Sequence, residues 1–247
     1  MKQFAGKRMD LNCDVGEIDI ETDEAILPFV SSCSVCCGAH AGDDLLIEAT
    51  IRRAAELNIA LGAHPSWPDR PNFGRKSLDI PLSDFEQSLR EQIQFVKTLA
   101  ENYGAQLQHV KPHGALYHDV LVDLELAEMF LRVVKEFGQN VCIYGQADSS
   151  FSKTCHDQGV RFVHEAFGDR NYESGNSLRS RLHANALIER EDDFLAHMKR
   201  LLSGSVVDVY GKEHAVTVQT ICIHGDGPKA THYARIAHEL ITQQFGS

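Results

Sequence analysis

Asn12-Cys13-Asp14-Val15-Gly16-Glu17 ends an apolar run near the start of the chain and opens into a polar, glycine-broken stretch. Six further segments repeat the arrangement: Gly38-Ala39-His40-Ala41-Gly42-Asp43, Gly62-Ala63-His64-Pro65-Ser66-Trp67-Pro68-Asp69, His109-Val110-Lys111-Pro112-His113-Gly114, Tyr144-Gly145, Glu165-Ala166-Phe167-Gly168-Asp169-Arg170 and His224-Gly225-Asp226. Each follows a strand-like run and precedes a helix-like stretch. A barrel of parallel strands gathers the C-terminal ends of all its strands at one mouth, where such folds do their chemistry. Seven such ends predict an α/β fold, an irregular (β/α)7 TIM-like barrel, with one site assembled at its mouth.

Working outward, apolar runs read as strands near 9–14, 33–37, 59–63, 107–111, 141–144, 160–164 and 218–223. Between them the spacing turns helical. Asp43 can cap a helix with Ile47, Ile51 and Ala54 inward. Ser83 with Glu86 predicts a capping box opening a helix striped by Phe85, Leu89, Ile93, Val96 and Ala100. Asp123 precedes the stripe Ala127, Phe130, Val134 and Phe137. Further helices are expected over about 148–158, 191–202 and 228–244. Strands alternating with helices imply βαβ units and a parallel sheet. The stretches 64–82 and 167–189 read as long irregular loops, of the kind that serve as lids or binding segments. No linker or composition break divides residues 1–247, which read as one domain of a length normal for a barrel.

The balance of 24 Lys and Arg against 35 Asp and Glu, a net charge of −11, argues against binding nucleic acid or anionic membrane. No apolar run reaches membrane-spanning length. Met1–Met9 is short and mixed, unlike a secretory or transit leader, so a cytoplasmic location is expected. Seven cysteines, an odd number mostly within strands, read as reduced, buried space-fillers. Cys33 and Cys36 have CxxC spacing, but residues three apart in a strand point to opposite faces, and a zinc ribbon would need a second pair.

Strand alternation places Asn12 and Asp14 on one face, toward the barrel interior, and Leu11 and Cys13 on the other. His109, Lys111 and His113, at i, i+2 and i+4, likewise share a face. Three such polar groups along one strand are costly to bury for structure alone. Lys111 suits a phosphate or carboxylate, and His113 suits acid–base work near neutral pH. Glu17 can act from its loop, as a base or as a backbone cap. His40, His64 and His224 each close a strand and are followed within five residues by Asp43, Asp69 and Asp226. Asp43 and Asp226 have a rival reading as helix N-caps. Asp14 with His40 or His64 could hold a divalent metal. Arg170 and Arg75 lie in the two long loops, where a guanidinium can fork onto a carboxylate or phosphate; a solvated position suits Arg75 equally. No GxxxxGK[ST] or GxGxxG segment is present, so a nucleotide would rest on helix N-termini and cationic side chains.

Taken together, the chain resembles the LamB/YcsF family, the A subunit of ATP-dependent 5-oxoprolinase. The resemblance runs from about residue 9 to the C-terminus. It rests on Asp10-Leu11-Asn12-Cys13-Asp14-Val15-Gly16-Glu17, Cys37-Gly38-Ala39-His40-Ala41-Gly42-Asp43, Gly62 to Asp69, Phe73-Gly74-Arg75, Gln108 to Tyr117, Phe167-Gly168-Asp169-Arg170-Asn171-Tyr172 and Ile221 to Asp226. Ala39 and Gly168 stand where the family usually has Phe and Ala, and Leu178-Arg179-Ser180-Arg181 lacks the family's usual proline. The resemblance implies a distorted barrel akin to the glycoside hydrolase/deacetylase fold. It also implies a protein that opens the lactam of 5-oxoproline to L-glutamate with ATP, Mg2+ as its counterion, and two partner subunits of B and C type.

On this reading Asp14 is the base, Lys111 meets phosphoryl or oxyanion charge, and His113 delivers a proton. Asn12, Glu17, His40, Asp43, His64, Arg170, His224 and Asp226 hold substrate and phosphate. Two other classes stay open: a metal-dependent amide or polysaccharide deacetylase, and a non-catalytic lactam-binding subunit.

Overall fold

The computed structural model describes residues 9–246; the leader expectation falls mainly on residues 1–8, outside it. Seven strands close a barrel: β1 (Asp10–Val15), β2 (Ser32–Cys36), β3 (Ala60–His64), β4 (Leu107–Val110), β5 (Cys142–Gln146), β6 (Phe162–Phe167) and, after two ribbons, β11 (Thr220–His224). All seven pairings are parallel and follow chain order, β11 returning to β1. The seven-stranded expectation is met. The ribbons pair β7 (Tyr172–Ser174) with β8 (Ser177–Leu178) and β9 (Ser205–Val207) with β10 (Glu213–Ala215), both antiparallel. The first gives order to the stretch expected to be irregular.

Helices cover the outside: α1 (Ile20–Ile26), α2 (Asp44–Glu56), α3 (Leu82–Asn102), α4 (Ala115–Val122), α5 (Leu124–Glu136), α6 (Ser150–Asp157), α7 (Glu191–Leu202) and α8 (Ala230–Phe245). No helix among the described residues is long and apolar enough to cross a membrane. Helix α4 begins directly after Gly114, whose φ of 59° brings its Cα so close to Gly74 O that a Cβ would lie 2.4 Å away. A seam that tight admits only glycine.

The caps decide two expectations. Asp43 caps α2 by accepting from Leu46 N, and Asp123 caps α5 from Leu126 N. The expected capping box at Ser83 and Glu86 is absent. The N-cap is Pro81, two residues earlier, Ser83 Oγ turns to Asp84, and Glu86 is drawn to Arg90 and Arg132.

Two chemically opposite layers result from strand alternation. Outward residues such as Leu11, Cys13, Val35, Leu61, Ile143 and Ile221 join the inner faces of the helices in one apolar cluster. Each large side chain buried there contributes roughly 1.5–3 kcal/mol. The inward residues are polar instead. At the N-terminal end Asp10 accepts hydrogen bonds from the hydroxyls of Ser31 (2.6 Å), Ser32 (2.7 Å), Thr220 (2.6 Å) and Tyr144 (3.2 Å). Above this layer the His109 ring fills the lumen, stacked on Tyr144 at 3.9 Å and bonded to Ser34 at 3.1 Å. Gly62 makes that possible: a Cβ there would stand 2.2 Å from His109 Nε2. All seven cysteines are free and buried, as their placement in apolar runs implied.

Candidate active site

The C-terminal mouth of the barrel opens into a cavity of about 620 Å³. Asp14, Lys111, His64, His113 and Glu17 face it from below, Tyr117, Phe167, Arg170 and His224 from the sides, and Arg75, Arg181 and Asp226 from the rim. Residues from β1, β3, β6 and β11, from the loops that follow β1, β3, β4, β6 and β11, and from α4 meet here because parallel strands end together.

Lys111 is 1% exposed and sits at the centre of the floor. Its ammonium pairs with Asp14 Oδ1 at 2.6 Å and Glu165 Oε1 at 3.0 Å, and donates to Asn12 Oδ1 at 3.1 Å and Cys222 Sγ at 3.3 Å. Asn12 in turn donates to Glu165 Oε1 and Thr220 Oγ1. Burial disfavours the Lys111 charge, but Asp14 and Glu165 outweigh it and hold the ammonium's pKa well above the ordinary value. Burial likewise opposes ionisation of Asp14, yet His64 and Lys111 hold its carboxyl well below the usual range. Both groups are therefore charged at neutral pH.

Three imidazoles crowd beside this pair. His40 and His113 stack face to face at 3.7 Å, and His64 stands edge-on to each, at 5.8 and 4.8 Å. His64 Nδ1 donates to Lys111 O at 2.7 Å, and His113 Nε2 to Phe73 O at 2.9 Å. His64 Nε2 faces His113 Nδ1 at 3.0 Å and Asp14 Oδ2 at 3.4 Å. Glu17 Oε1 reaches His40 Nε2 at 3.1 Å. Burial, and for His113 the neighbouring imidazoles, push the His40 and His113 pKa values down. His109, beneath the site, is pushed to about 3 by burial and by Lys111, and stays neutral.

Across the cavity Asp169 holds His224: its two oxygens lie 3.0 Å from Nδ1, and it also accepts from the His224 backbone N–H. Nε2 makes no protein hydrogen bond among the described residues, and the ring lines the cavity. Burial raises the Asp169 pKa, but His224 more than reverses this. Arg170 is 5% exposed; its guanidinium donates to Arg179 O, while Nε has no partner. Asp226 accepts from Arg75 at 2.9 Å and Arg181 at 2.8 Å, so one carboxylate ties both long loops across the mouth.

Of the residues singled out in the sequence, Asp14, Glu17, His64, Lys111, His113, Arg170, His224 and Asp226 line this cavity. Asn12 and His40 stand behind that layer, supporting Lys111 and Glu17. Asp43 is not part of it. It caps α2 and borders a separate shallow depression with Gly38 and Arg70. Asp226 caps nothing, since α8 begins at Ala230 with Lys229 at its N-cap. Of the metal candidates read from the sequence, Asp14 with His40 or His64, Asp14 Oδ2 stands 3.4 Å from His64 Nε2, while His40 is turned to Glu17. Two other groups bring ligand atoms within 4.8 Å of one another: Glu17, His64 and His113, and Asp14, Cys222 and His224. Burial pushes the Cys222 thiol well up, and its Sγ already accepts from the Lys111 ammonium at 3.3 Å.

Sequence reading missed Glu165, Asp169, Tyr117 and Arg181. Glu165 had one available signal: it is the sole acid in the apolar run Val163–Phe167. Tyr117 comes from α4, a helix the periodicity did not resolve.

The family model described as the LamB/YcsF family matches residues 9–246. The A subunit of 5-oxoprolinase from Bacillus mycoides (strain KBAB4) is 39% identical over 232 residues, 92% of this chain and 91% of that protein. Its counterpart from Bacillus cereus (strain AH820) is 38% identical over 238 residues, 94% of each. Among solved structures, the lactam utilization protein from Thermus thermophilus superposes with a TM-score of 0.87 at 32% identity, covering 97% of this chain and 98% of that one. A putative cellobiose-phosphate cleavage protein from Enterococcus faecalis V583, at 10% identity and a TM-score of 0.55, shares the fold. By sequence along nearly its whole length, and by fold, this chain belongs to the LamB/YcsF family.

Proposed function

We propose that the chain is the A component of an ATP-dependent 5-oxoprolinase, opening the lactam of 5-oxoproline to L-glutamate together with B-type and C-type partner subunits. The observation that carries this reading is the buried Asp14–Lys111 pair on the floor of a guanidinium-rimmed cavity. It stands in a chain about 38% identical to proteins named as the A subunit of 5-oxoprolinase. A cavity of about 620 Å³ is within the size range of small-molecule sites and leaves room for a phosphoryl group beside a five-membered ring.

A lactam carbonyl is a weak electrophile. Transfer of the ATP γ-phosphoryl group to the carbonyl oxygen releases ADP and makes the ring carbon attackable. One water adds to that carbon, losing a proton to a base. The C–N bond then breaks as an acid protonates the nitrogen, leaving a γ-acyl phosphate. A second water releases phosphate and glutamate. The sequence needs a base, an acid and cations for the charged oxygens.

Asp14 is ionised and takes the proton from water. Lys111 keeps it ionised and meets charge developing on the lactam oxygen. Proton delivery moves from His113 to His224, because His113 Nε2 donates to Phe73 O and its Nδ1 is closed in against His64 Nε2 at 3.0 Å, whereas His224 keeps Nε2 free and is oriented by Asp169. The unpartnered Nε of Arg170 receives the substrate carboxylate. Arg75 and Arg181, released from Asp226, meet the phosphoryl oxygens and the Mg2+-bound nucleotide.

The test is glutamate formation from 5-oxoproline and ATP by the chain with its partner subunits. Asp14→Asn should reduce it on the order of 100-fold or more while leaving 5-oxoproline binding, by calorimetry, within a few-fold. Near-normal glutamate formation would remove the reading. Binding without any turnover in the complete assembly would favour the non-catalytic lactam-binding role.

A further inference from the structure

We infer that Glu17, His64 and His113 form a binding site for one first-row divalent cation, with zinc the ion best suited to this nitrogen–oxygen set. The argument begins with hydrogen positions. A backbone carbonyl only accepts. His64 Nδ1 therefore carries the proton it gives to Lys111 O, and His113 Nε2 the one it gives to Phe73 O. In neutral rings this leaves lone pairs on His64 Nε2 and His113 Nδ1, which face each other at 3.0 Å. The third atom is an anionic oxygen: Glu17 Oε1 lies 3.5 Å from His113 Nδ1 and 4.0 Å from His64 Nε2. Three acceptors converge with no donor among them.

A shared proton would sit between His64 and His113, with Asp14 Oδ2 3.4 Å from His64 Nε2, leaving Glu17 Oε1 at the margin of hydrogen-bonding distance. The distances favour a metal. A triangle with sides of 3.0, 3.5 and 4.0 Å has a circumscribed radius of about 2.1 Å, which is the length of zinc bonds to imidazole nitrogen and carboxylate oxygen. One point thus lies at bonding distance from all three atoms.

The surroundings fit the same reading. Metal-bound histidines are usually oriented by a hydrogen bond from the other ring nitrogen, here to Lys111 O and Phe73 O. His40, 3.1 Å from the same Glu17 oxygen and bonded to Ser66 behind, fixes the carboxylate. Asp14 Oδ2, 3.4 Å from His64 Nε2, stands ready as a fourth ligand. All three ligands also face the cavity, so a ligand oxygen can reach the ion. A cation there would supply Lewis acidity at the cavity floor. Glu17 and His113 were not among the metal candidates read from the sequence, and the set does not rest on the lactam reading.

The experiment strips the full chain with a chelator, titrates it with Zn2+ by calorimetry, and titrates a second sample with Co2+ followed by visible absorption. One ion per chain is expected. Glu17→Gln and His64→Asn should each weaken binding about 100-fold or more, while His224→Asn, in the other cluster, should leave it unchanged. If the ligand variants fail to fold, the cobalt spectrum of the unaltered chain decides: a ligand-field band without a thiolate charge-transfer band supports the site, and a thiolate band moves the ion to Cys222. Lack of stoichiometric binding, or binding that survives both substitutions, overturns the inference. A chain that binds no zinc but makes glutamate would sink this site and spare the proposed reaction. One that binds zinc but never supports turnover would do the reverse.

Discussion

Replacing Lys111 with methionine removes the one charge that balances the barrel floor, and the structure sets the scale of the damage. The ammonium lies 2.6 Å from Asp14 Oδ1 and 3.0 Å from Glu165 Oε1. At an effective dielectric constant of about 20, each contact represents a gross attraction of about 6 kcal/mol. Desolvation of the charges offsets most of that while the pairs are intact. In Lys111→Met the two carboxylates remain buried without their counter-ion, and breaking buried pairs in this way costs about 3–5 kcal/mol. Methionine is close to lysine in length, so the loss is electrostatic rather than a cavity effect.

The pH dependence isolates this cause. The Asp14 carboxyl is held low by His64 and Lys111 against burial, so its contribution is present above its unfolded pKa and is lost as pH falls through the folded value. Without Lys111, burial makes the ionised form unfavourable, and the variant should recover as its carboxyls protonate. Urea unfolding of both proteins from pH 5 to pH 8 should show a deficit of about 3–5 kcal/mol at pH 8 that shrinks toward pH 5. Lys111→Met with Glu165→Gln should be less destabilised than the sum of the two single changes. Turnover with partner subunits should fall on the order of 100-fold or more in Lys111→Met. A deficit under about 1 kcal/mol that does not vary with pH, together with near-normal turnover, would refute the central role given to this ammonium.

Gly62→Ala should destabilise the fold by about 1–3 kcal/mol or more, read by thermal melting, because its Cβ would meet the His109 ring that Tyr144 holds in place; an unchanged melting temperature would show that the ring can retreat. Burial, against hydrogen bonds from Thr50 and Gly16, raises the Asp23 carboxyl to about 6. Its proton is therefore bound more tightly in the folded state, and stability is lost as pH rises from about 4 to about 6, by up to roughly 3 kcal/mol. Asp23→Asn should match the parent near pH 4 and exceed it near pH 8, and parallel pH profiles would contradict this. Asp226→Ala should cost under about 1 kcal/mol, since its ion pairs are partly exposed. It should, however, speed proteolysis within 64–82 and 178–183, and unchanged cleavage rates would show that the loops are held by other contacts.

The sequence disclosed whatever depends on the two-residue alternation of a strand. That rule alone put Asn12 with Asp14 and His109 with Lys111, and the structure keeps them on the inner face. It could not disclose partners that meet only across the lumen. Asn12 touches Glu165 across 153 positions and Lys111 touches it across 54. The strand carrying Glu165 was also expected to stop at residue 164, whereas β6 runs to Phe167. Asp43 and Asp226 show the same limit from the other side. Each follows a strand-end histidine, but one is claimed by the nearest helix N-terminus and the other by arginines from two loops. Local spacing does not say which of several competing donors an acidic residue will find. Helix α4 escaped notice because it starts at once after a ligand-like segment, with no side-chain cap to announce it.

The polar lumen also explains why the floor can be rigid without an apolar filling. From Asp10 with its four hydroxyl donors, hydrogen bonds run through Thr220 and Asn12 to Glu165 and Lys111, and from Lys111 by ion pair to Asp14 and by its backbone carbonyl to His64. A buried polar group is inexpensive only when its partners are in place, so each member of this column fixes the next. Side chains held in this way need little reorganisation when charge develops on a bound molecule, which is the condition for electrostatic stabilisation of a transition state. The apolar cluster between barrel and helices supplies the folding energy, and the column directs it to the mouth. Substitutions low in the column, at Thr220 or Asn12, should therefore disturb chemistry at Asp14 without touching the cavity wall.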